Sequence, residues 1–145
     1  MKCLSCLSIS GVKRISPGEV IFENERWMID HAYPTSLPGW LVIIPKRHIE
    51  ALHELTSEEF AELGTLQERT VRVLRQQLGS TKEYLACFAE REGFNHIHFH
   101  VVPKTAGFPE EFRGSKAFGL LMESPSNATP ETIAILCSKL RVAFE

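Results

Sequence analysis

The sequence predicts an α+β fold built on an antiparallel sheet. Three observations lead to this prediction: strand-like segments come first, one long amphipathic helix follows them, and two more strand-like segments precede a last helix. Strands followed by a helix and then by strands again are typical of this fold class. The strand segments are EVIFE (19–23), RWMIDH (26–31), GWLVIIP (39–45), YLACFA (84–89) and HIHFHVV (96–102).

The long central helix is marked at both ends. Thr56 and Glu59 form a capping-box pattern at its start, and Gly79 stands where a C-terminal stop is expected. Between these positions apolar residues recur at helical spacing and supply a stripe that can face a core. They are Phe60, Leu63, Leu66, Val71, Leu74 and Leu78.

The last third of the chain is predicted to contain one loop and one helix. The stretch from Lys104 to Ser115 is polar and contains glycine, so we expect a loop there. Thr129 followed by Pro130 is a typical helix start, and the helix is predicted to run to the end of the chain.

Length and composition indicate one globular domain, residues 1–145. The chain is 43% hydrophobic and 23% charged, with a formal net charge of -2. This charge gives no general basic surface for a nucleic-acid backbone, so nucleic acid is not expected as a partner. No run of about 18 apolar residues suggests a membrane span, and the N-terminal apolar part is too short for a secretory signal. We therefore expect a cytoplasmic protein with no membrane partner.

Three histidines occupy every second position in FNHIHFHVVPK, residues 94–104. Side chains alternate across a strand, so His96, His98 and His100 are expected to share one face while apolar residues between them point to the other. Two chemistries use such a row: a metal cage, or phosphoryl chemistry with imidazole as the nucleophile. In the second case the middle histidine is the natural nucleophile, and a neighbour donates a hydrogen bond to phosphate or to the leaving group.

A second motif lies at the N-terminus. Cys3 and Cys6 are spaced C-x-x-C. In reducing cytosol a disulfide is not expected, so this pair suggests either a metal site or a redox pair.

The chain resembles the histidine-triad family. HIHFHVV matches the family pattern of three histidines alternating with apolar residues, and VIFENERWMIDHAYPTSLPGWLVIIPKRHI is similar to the family's N-terminal half. The likeness runs from about Cys3 to Lys104. It implies a nucleotidyl hydrolase or transferase with a five-stranded antiparallel sheet and helices, usually a homodimer that binds purine nucleotides. By position, it implies that His98 is the nucleophile toward the α-phosphorus and that His100 contacts the phosphate or the leaving group.

The resemblance also implies a zinc ion. In zinc-binding members the C-x-x-C pair, the histidine of the Pro-Lys-x-His segment and the first triad histidine hold one metal. These positions correspond here to Cys3, Cys6, His48 and His96. Four protein ligands fill a tetrahedral shell, so this zinc would be structural.

Several positions depart from the family pattern. Many relatives carry Gly-Gln-Ser or Gly-Gln-Thr before the triad, where this chain has EREGFN, and Asn95 is expected to replace those groups in part. Ala32 stands where a polar residue usually holds the ribose, with Asp30 as a possible replacement or simply a solvated carboxylate at the strand end. His31 ends a strand near the expected pocket.

Trp40 stands where relatives often have a histidine. Acid assistance to an amine leaving group should then be weaker, and the indole offers a flat surface on which a second nucleobase could stack. Trp40 could instead pack in the core. Weaker acid assistance and stacking together favour dinucleoside polyphosphates over AMP phosphoramidates.

The sequence therefore predicts a zinc-containing nucleotide hydrolase that acts at the α-phosphorus of a purine nucleotide derivative through a nucleotidyl-His98 intermediate. One alternative is a nucleotide-binding regulatory protein with little or no turnover. A small zinc module that grips nucleic acid is disfavoured by the acidic net charge and by histidines that alternate on a strand.

Overall fold

A computed structural model describes residues 2–145. Within them the fold is α+β, with a five-stranded antiparallel sheet, as the sequence predicts. The α-helices are α1 (Leu4–Ile9), α2 (Ser57–Leu78) and α3 (Pro130–Ala143). The strands are β1 (Phe22–Glu23), β2 (Trp27–His31), β3 (Leu41–Pro45), β4 (Lys82–Ala86) and β5 (Phe99–Lys104). Short 3-10 helices cover Leu52–Glu54, Glu110–Phe112 and Gly114–Leu120.

The strand order places β5 inside the sheet. In the described chain the order is β1-β2-β3-β5-β4, and neighbouring strands are antiparallel. His100 on β5 pairs with Val42 of β3 on one side and with Ala86 of β4 on the other. Backbone on both sides therefore holds His100 in place.

The central helix α2 forms where the sequence predicts it. The Thr56 hydroxyl accepts a hydrogen bond from the Glu59 N–H at 3.1 Å, and the Glu59 carboxylate accepts one from the Thr56 N–H at 2.9 Å. Gly79 ends the helix in the left-handed conformation, with φ of 69°. Both ends are therefore set by local interactions that the sequence motif already contains.

The main core confirms the alternation around the triad. Ile97, Phe99 and Val101 are all buried in it. They pack with apolar residues of the strands and of helices α2 and α3, among them Ile29, Ile43, Leu63, Leu66, Leu74, Ile133 and Leu140. The triad histidines, which alternate with these residues, do not belong to this core.

Some element boundaries differ from the prediction. β5 begins at Phe99, three residues later than expected, because the Ile97 N–H donates to the Ile49 carbonyl instead of joining the sheet. β1 is only two residues long. The expected loop from Lys104 to Ser115 contains 3-10 turns, and helix α1 was not predicted. Within residues 2–145, no helix is long and apolar enough to cross a membrane.

Candidate active site and metal centre

Four potential metal ligands meet beside helix α1. Cys3 caps this helix and Cys6 lies within it, and both cysteines face His48 and His96. One ligand atom from each residue lies within 4.8 Å of all the others. The Cys6 Sγ is 3.3 Å from His48 Nδ1 and 3.5 Å from His96 Nδ1, while the Cys3 Sγ is 3.6 Å from His96 Nδ1. The structure thus brings together the four residues expected to hold a metal.

The spacing of these atoms fits tetrahedral zinc. Sulfur at about 2.3 Å and nitrogen at about 2.0–2.1 Å from one ion are about 3.6 Å apart when the angle is tetrahedral. The observed sulfur–nitrogen distances are 3.3 to 3.6 Å. Burial, together with the neighbouring Cys3 thiol, raises the pKa of the Cys6 thiol to about 11. The Cys6 thiolate is therefore costly to form without a cation, and a divalent ion removes that cost.

Both histidines of this cluster are held by their second ring nitrogen. The His96 Nε2–H donates to the Pro45 carbonyl at 2.7 Å, and the His48 Nε2–H donates to the Glu50 carboxylate at 2.9 Å. Each ring therefore presents the lone pair of Nδ1 to the cysteines. Anchoring of this kind is the usual arrangement around metal-ligating histidines.

His98 and His100 line a separate pocket. The His98 Nδ1–H donates to the His96 carbonyl at 2.9 Å, which makes Nε2 the nitrogen with the lone pair. The centroids of the His98 and His100 rings are 4.8 Å apart. Burial lowers the pKa of His98, and burial with the nearby His98 ring lowers the pKa of His100 to about 3. Both imidazoles are thus neutral near pH 7, the state in which imidazole is nucleophilic.

Trp40 offers no stacking surface, which corrects the expectation of a second nucleobase there. Its side chain is 0% exposed because His100 and Phe118 pack edge-on against it, with ring centroids 5.7 Å and 5.3 Å away. The Trp40 Nε1–H donates to His100 Nδ1 at 3.0 Å. Because Nδ1 accepts, the proton of neutral His100 is on Nε2. Trp40 therefore acts on a triad histidine, and the preference for dinucleoside polyphosphates loses the support of stacking, while weaker acid assistance to an amine remains an argument for it.

His31 also differs from its expected role as a substrate-binding residue. The ring borders the pocket, but its Nδ1–H donates to the Ala32 carbonyl at 2.7 Å and its Nε2 accepts from the Gly39 N–H at 2.9 Å. Neither nitrogen is free for a nucleotide. Gly39 has φ of 97°, and a Cβ there would lie 2.4 Å from a Leu78 methyl group, so glycine is required. His31 therefore closes the β2–β3 loop that carries Trp40.

Asp30 borders the same pocket as part of an ion pair. Arg14 donates to its two carboxylate oxygens at 2.6 Å and 3.0 Å. The oxygen at 3.0 Å, Oδ1, also accepts from the His31 N–H, whereas Oδ2 keeps the capacity for a further hydrogen bond. Arg14 also donates to the Ser8 hydroxyl of α1 at 3.3 Å. Asp30 is therefore a buried, paired carboxylate and not a solvated strand end.

Asn95 does not lie where the sequence interpretation put it. It is exposed and lines a cavity beside Cys3, His48 and His96, whereas His98 lines other pockets. The residues before Phe99 do not belong to β5, so position along the chain does not determine the direction of the Asn95 side chain. The expected phosphate contact is not supported.

Two pockets meet at the triad. One, of about 80 Å³, lies between α1 and the sheet and is bordered by Ser5, Ser8 and Asp30. The other, of about 160 Å³, is bordered by Phe88 and Phe118. His98, His100 and Phe94 line both pockets. A group bound at the histidines can therefore extend in two directions.

The sequence interpretation missed Ser8, Arg14 and Phe118. Ser8 and Arg14 lie outside every motif in the chain, and only the tertiary fold brings them to Asp30. Phe118 belongs to a 3-10 helix that returns to the triad after the polar segment. No spacing rule could have found these three residues.

The fold and the site define a class: an α+β protein in which an inner antiparallel strand carries His100, the residue just before this strand's start is His98, and both histidines line a pocket beside a Cys2His2 cluster. Residues 13–107 match the family model described as HIT domain. The chain belongs to the HIT domain family.

Three known proteins show how far the similarity extends. An uncharacterized HIT-like protein of Methanocaldococcus jannaschii is 27% identical over 72% of this chain and 81% of its own length. A bis(5'-adenosyl)-triphosphatase of Dictyostelium discoideum is 30% identical over 62% of each protein, so the chain spans about three fifths of that enzyme. The crystal structure of a Zn-bound histidine triad family protein from Mycobacterium smegmatis superposes with a TM-score of 0.70 at 24% identity, covering 98% of this chain and 94% of that one.

Proposed function

We propose that the protein is a nucleotide hydrolase that cleaves at the α-phosphorus of a purine nucleotide derivative through a nucleotidyl-His98 intermediate. The hydrogen bond from the His98 Nδ1–H to the His96 carbonyl is the observation that carries this proposal. It fixes the ring and makes Nε2 the attacking nitrogen. A neutral imidazole held in this way attacks without first losing a proton. The Dictyostelium relative is named a bis(5'-adenosyl)-triphosphatase, after the cleavage of a related bond.

The reaction proceeds in two displacements. First, His98 Nε2 forms a bond to the α-phosphorus, and the bond to the leaving group breaks with its electron pair on the leaving atom. A basic leaving atom takes a proton from solvent water. Then a water oxygen bonds to phosphorus, the bond between phosphorus and Nε2 breaks, and the nitrogen recovers its lone pair while the proton of that water passes to solvent. The products are a nucleoside monophosphate and the free leaving group.

His100 acts as a hydrogen-bond donor in this mechanism. Trp40 occupies its Nδ1, so its Nε2 carries the proton. A donor beside the nucleophile stabilises the negative charge that develops on the phosphoryl oxygens. With a pKa of about 3, His100 does not change its own charge near neutral pH.

The nucleoside is assigned to the pocket beside α1. Ser5 and Ser8 offer hydroxyl groups there, and Asp30 Oδ2 can accept a hydrogen bond from a ribose hydroxyl. The pocket measures about 80 Å³. Ligand sites usually measure about 300 Å³ or more, so this one must widen to admit a nucleoside. Ile15 and Leu121 line the pocket from segments outside the sheet and outside helix α1, so those segments are expected to move.

Cys3, Cys6, His48 and His96 are proposed to hold a structural zinc. The donor set, the spacing and the anchored rings fit that ion. When bound, zinc supplies a fixed cross-link, because four protein ligands complete its coordination and leave no position for substrate. These residues then tie α1 to the segment that precedes β5.

The homodimer implied by the family resemblance stays a proposal. Strand β4 lies at the edge of the sheet and pairs only with β5 in the described chain, and Leu85 on it is half exposed. An edge strand with an exposed apolar residue is suited to pairing with a second copy. Sedimentation equilibrium would show whether the protein sediments as two chains.

The alternative function is a regulatory protein that binds a nucleotide and turns it over slowly or not at all. The same pocket supports nucleotide binding, and a turnover assay distinguishes this alternative from the hydrolase. Cytoplasmic location and the absence of a nucleic-acid partner stay predictions from composition.

The test compares wild type with His98→Ala on diadenosine triphosphate, an AMP phosphoramidate and ADP-glucose. We expect wild type to release AMP from at least one of them and His98→Ala to lower kcat by about 10³-fold or more. AMP affinity, measured by calorimetry, should change only a few-fold. His53→Ala, at an exposed histidine, is the matched control and should retain activity. Equal turnover by His98→Ala would refute the covalent mechanism, and a wild type that binds AMP but cleaves nothing would support the regulatory alternative.

A further inference from the structure

The Arg14 side chain joins three separate parts of the chain beside the nucleoside pocket. Its two terminal nitrogens donate to the Asp30 carboxylate of β2, at 2.6 Å and 3.0 Å. One of these nitrogens also donates to the Ser8 hydroxyl of α1 at 3.3 Å, and the other donates to the Gly18 carbonyl at 2.9 Å. Helix α1, the segment that follows it and strand β2 are therefore held together by one guanidinium group.

Helix α1 contacts the metal cluster on one side and the nucleoside pocket on another. Cys3, at its N-cap, and Cys6 belong to the metal cluster. Ser5 and Ser8 are three residues apart and therefore lie on one face of the helix. Each of these serines is 3% exposed and lines the pocket. A displacement of α1 would therefore change the metal cluster and the pocket together.

The metal cluster and Arg14 hold α1 at opposite ends. A helix of six residues is not stable alone, so such contacts decide its position. The cluster holds the N-terminal half through Cys3 and Cys6. Near the C-terminal end, the Ser8 hydroxyl accepts from Arg14 and from the Ile15 N–H, the latter at 3.1 Å. Loss of the contacts at one end should therefore loosen the helix at the other end as well.

Arg14 acts on the pocket through its partners, because Ser8 and Asp30 line the pocket and Arg14 does not. Burial raises the pKa of the Asp30 carboxyl, and the hydrogen bonds from Arg14 oppose this rise. The fork of an arginine can bind both carboxylate oxygens and still reach Ser8 and Gly18. A lysine in this place would keep the positive charge but could not make all of these contacts.

We propose that Arg14 is a positioning residue that couples the metal cluster to the nucleoside pocket. Arg14 fixes Ser8 of α1 relative to Asp30 of β2, so a nucleoside monophosphate that contacts both side chains also restrains α1. Bound ligand should then slow the loss of zinc, and bound zinc should strengthen ligand binding, because coupling between two sites is reciprocal. This inference rests on the nucleoside pocket and the zinc site proposed above, and it does not depend on the cleavage reaction.

The first measurement is the affinity for AMP, by calorimetry on zinc-loaded protein. We expect Arg14→Gln, which removes the cation and most of the donors, to weaken AMP binding at least tenfold. Arg14→Lys should weaken it at least fivefold, because the charge beside Asp30 remains but the link to Ser8 is lost. The matched control is Arg72→Gln on α2, at an exposed arginine that pairs with Glu68, and it should change the affinity less than twofold.

The second measurement is the rate at which zinc passes from the protein to an excess of a colorimetric chelator. AMP at about ten times its Kd for each protein should slow zinc release from wild type and Arg72→Gln by about fivefold or more, a common size of coupling between sites. It should slow release from Arg14→Gln and Arg14→Lys less than twofold. Inorganic phosphate has no nucleoside to contact α1 and should leave the wild-type rate unchanged. The wild-type comparison needs no variant, so it tests the coupling even if Arg14→Gln folds poorly.

The two measurements separate failure of the coupling from failure of the proposed function. If wild type binds AMP but AMP does not slow its zinc release, or if Arg14→Gln keeps the wild-type affinity, the coupling is overturned and the hydrolase mechanism stands. Wild-type behaviour of Arg14→Lys in both measurements would also overturn it, because the charge beside Asp30 would then be sufficient. A wild type that binds no AMP would refute the nucleoside pocket and the coupling together. A wild type that cleaves no nucleotide but shows both effects would refute the hydrolase and support the coupling.

Discussion

Trp40 shows how one buried side chain sets the chemistry of a neighbour. Its indole N–H donates to His100 Nδ1, and both side chains are buried. The hydrogen bond selects the form of neutral His100 with the proton on Nε2, which is the donor that the mechanism uses. Trp40→Phe keeps an aromatic ring but removes this donor, so Nδ1 loses its partner.

We expect Trp40→Phe to lower the free energy of unfolding by about 1–3 kcal/mol, the usual cost of a buried polar atom left without a hydrogen bond. Its kcat should fall roughly tenfold, which corresponds to about 1.4 kcal/mol of lost transition-state stabilisation. Chemical denaturation and steady-state kinetics measure these two effects. The ¹⁵N chemical shifts of His100 should change from a single protonated-Nε2 pattern to a mixture, which a purely structural role for Trp40 would not require.

Trp27 provides the matched control. Its indole N–H is buried without a hydrogen-bond partner within the described residues, so Trp27→Phe removes no such interaction. This variant should keep the His100 ¹⁵N pattern of wild type. An unchanged pattern in Trp40→Phe as well would show that the indole does not set the tautomer.

The positions of some residues could be predicted from the sequence, whereas those of others could not. Alternation alone predicted the buried positions of Ile97, Phe99 and Val101, because a strand periodicity needs no tertiary information. The burial of Trp40 depends on Phe118, which is 78 positions later in the chain and packs against the indole only after folding. The same holds for the pairing of Arg14 with Asp30.

Helices α1 and α2 differ in what determines them: local sequence signals set α2, whereas tertiary contacts hold α1. α2 has 22 residues and a complete capping box, so its start and end could be predicted from local signals. α1 has six residues, too few to be stable alone. Tertiary contacts hold it: the Leu4 N–H donates to the Gly93 carbonyl at 3.0 Å, and Ser8 accepts from Arg14. Its position therefore follows from the folded chain and, on our proposal, from zinc.

Zinc is expected to stabilise α1 and, through it, the nucleoside pocket. Protein purified without chelator should contain about one zinc per chain by elemental analysis. The double variant Cys3→Ser with Cys6→Ser should lose the metal and melt at a lower temperature, because metal binding energy is available only to the folded state. Amide hydrogen exchange over residues 4–9 should become faster in that variant, which reports on α1 without any measurement of activity.

Cys87→Ser is the control for this experiment, since Cys87 is not part of the cluster. It should keep both zinc and the slow exchange of α1. A metal-free wild type, or zinc that leaves without any change in melting temperature, would contradict the structural role.

At the scale of the whole molecule, buried neutral histidines should make stability depend on pH. Burial lowers the pKa of His31 to about 4. Between the reference value of about 6.5 and this value, the unfolded chain binds a proton that the folded protein does not, so the free energy of unfolding falls as pH falls. At 1.36 kcal/mol for each tenfold change in proton affinity, this lower pKa amounts to about 3 kcal/mol for His31, fully present above pH 6.5 and lost by pH 4.

Urea unfolding at pH 7 and pH 4 measures this dependence. His31→Gln should be less stable than wild type at pH 7 but should lose less stability on acidification, by up to about 3 kcal/mol. His53→Gln, at an exposed histidine, should show the wild-type dependence. Metal loss at low pH affects all three proteins alike and cancels in the comparison. Equal pH dependence in His31→Gln and wild type would contradict the role assigned to the buried ring.

The central claim about the whole molecule is that His98 becomes covalently attached to a nucleotide. Rapid quenching during turnover, followed by mass spectrometry of the intact protein and of the peptide containing residues 94–104, tests it most directly. We predict one nucleoside monophosphoryl group on His98 of wild type, formed before AMP accumulates and absent from His98→Ala. Steady AMP release from wild type with no labelled protein at any time, or the same label on His98→Ala, would contradict it.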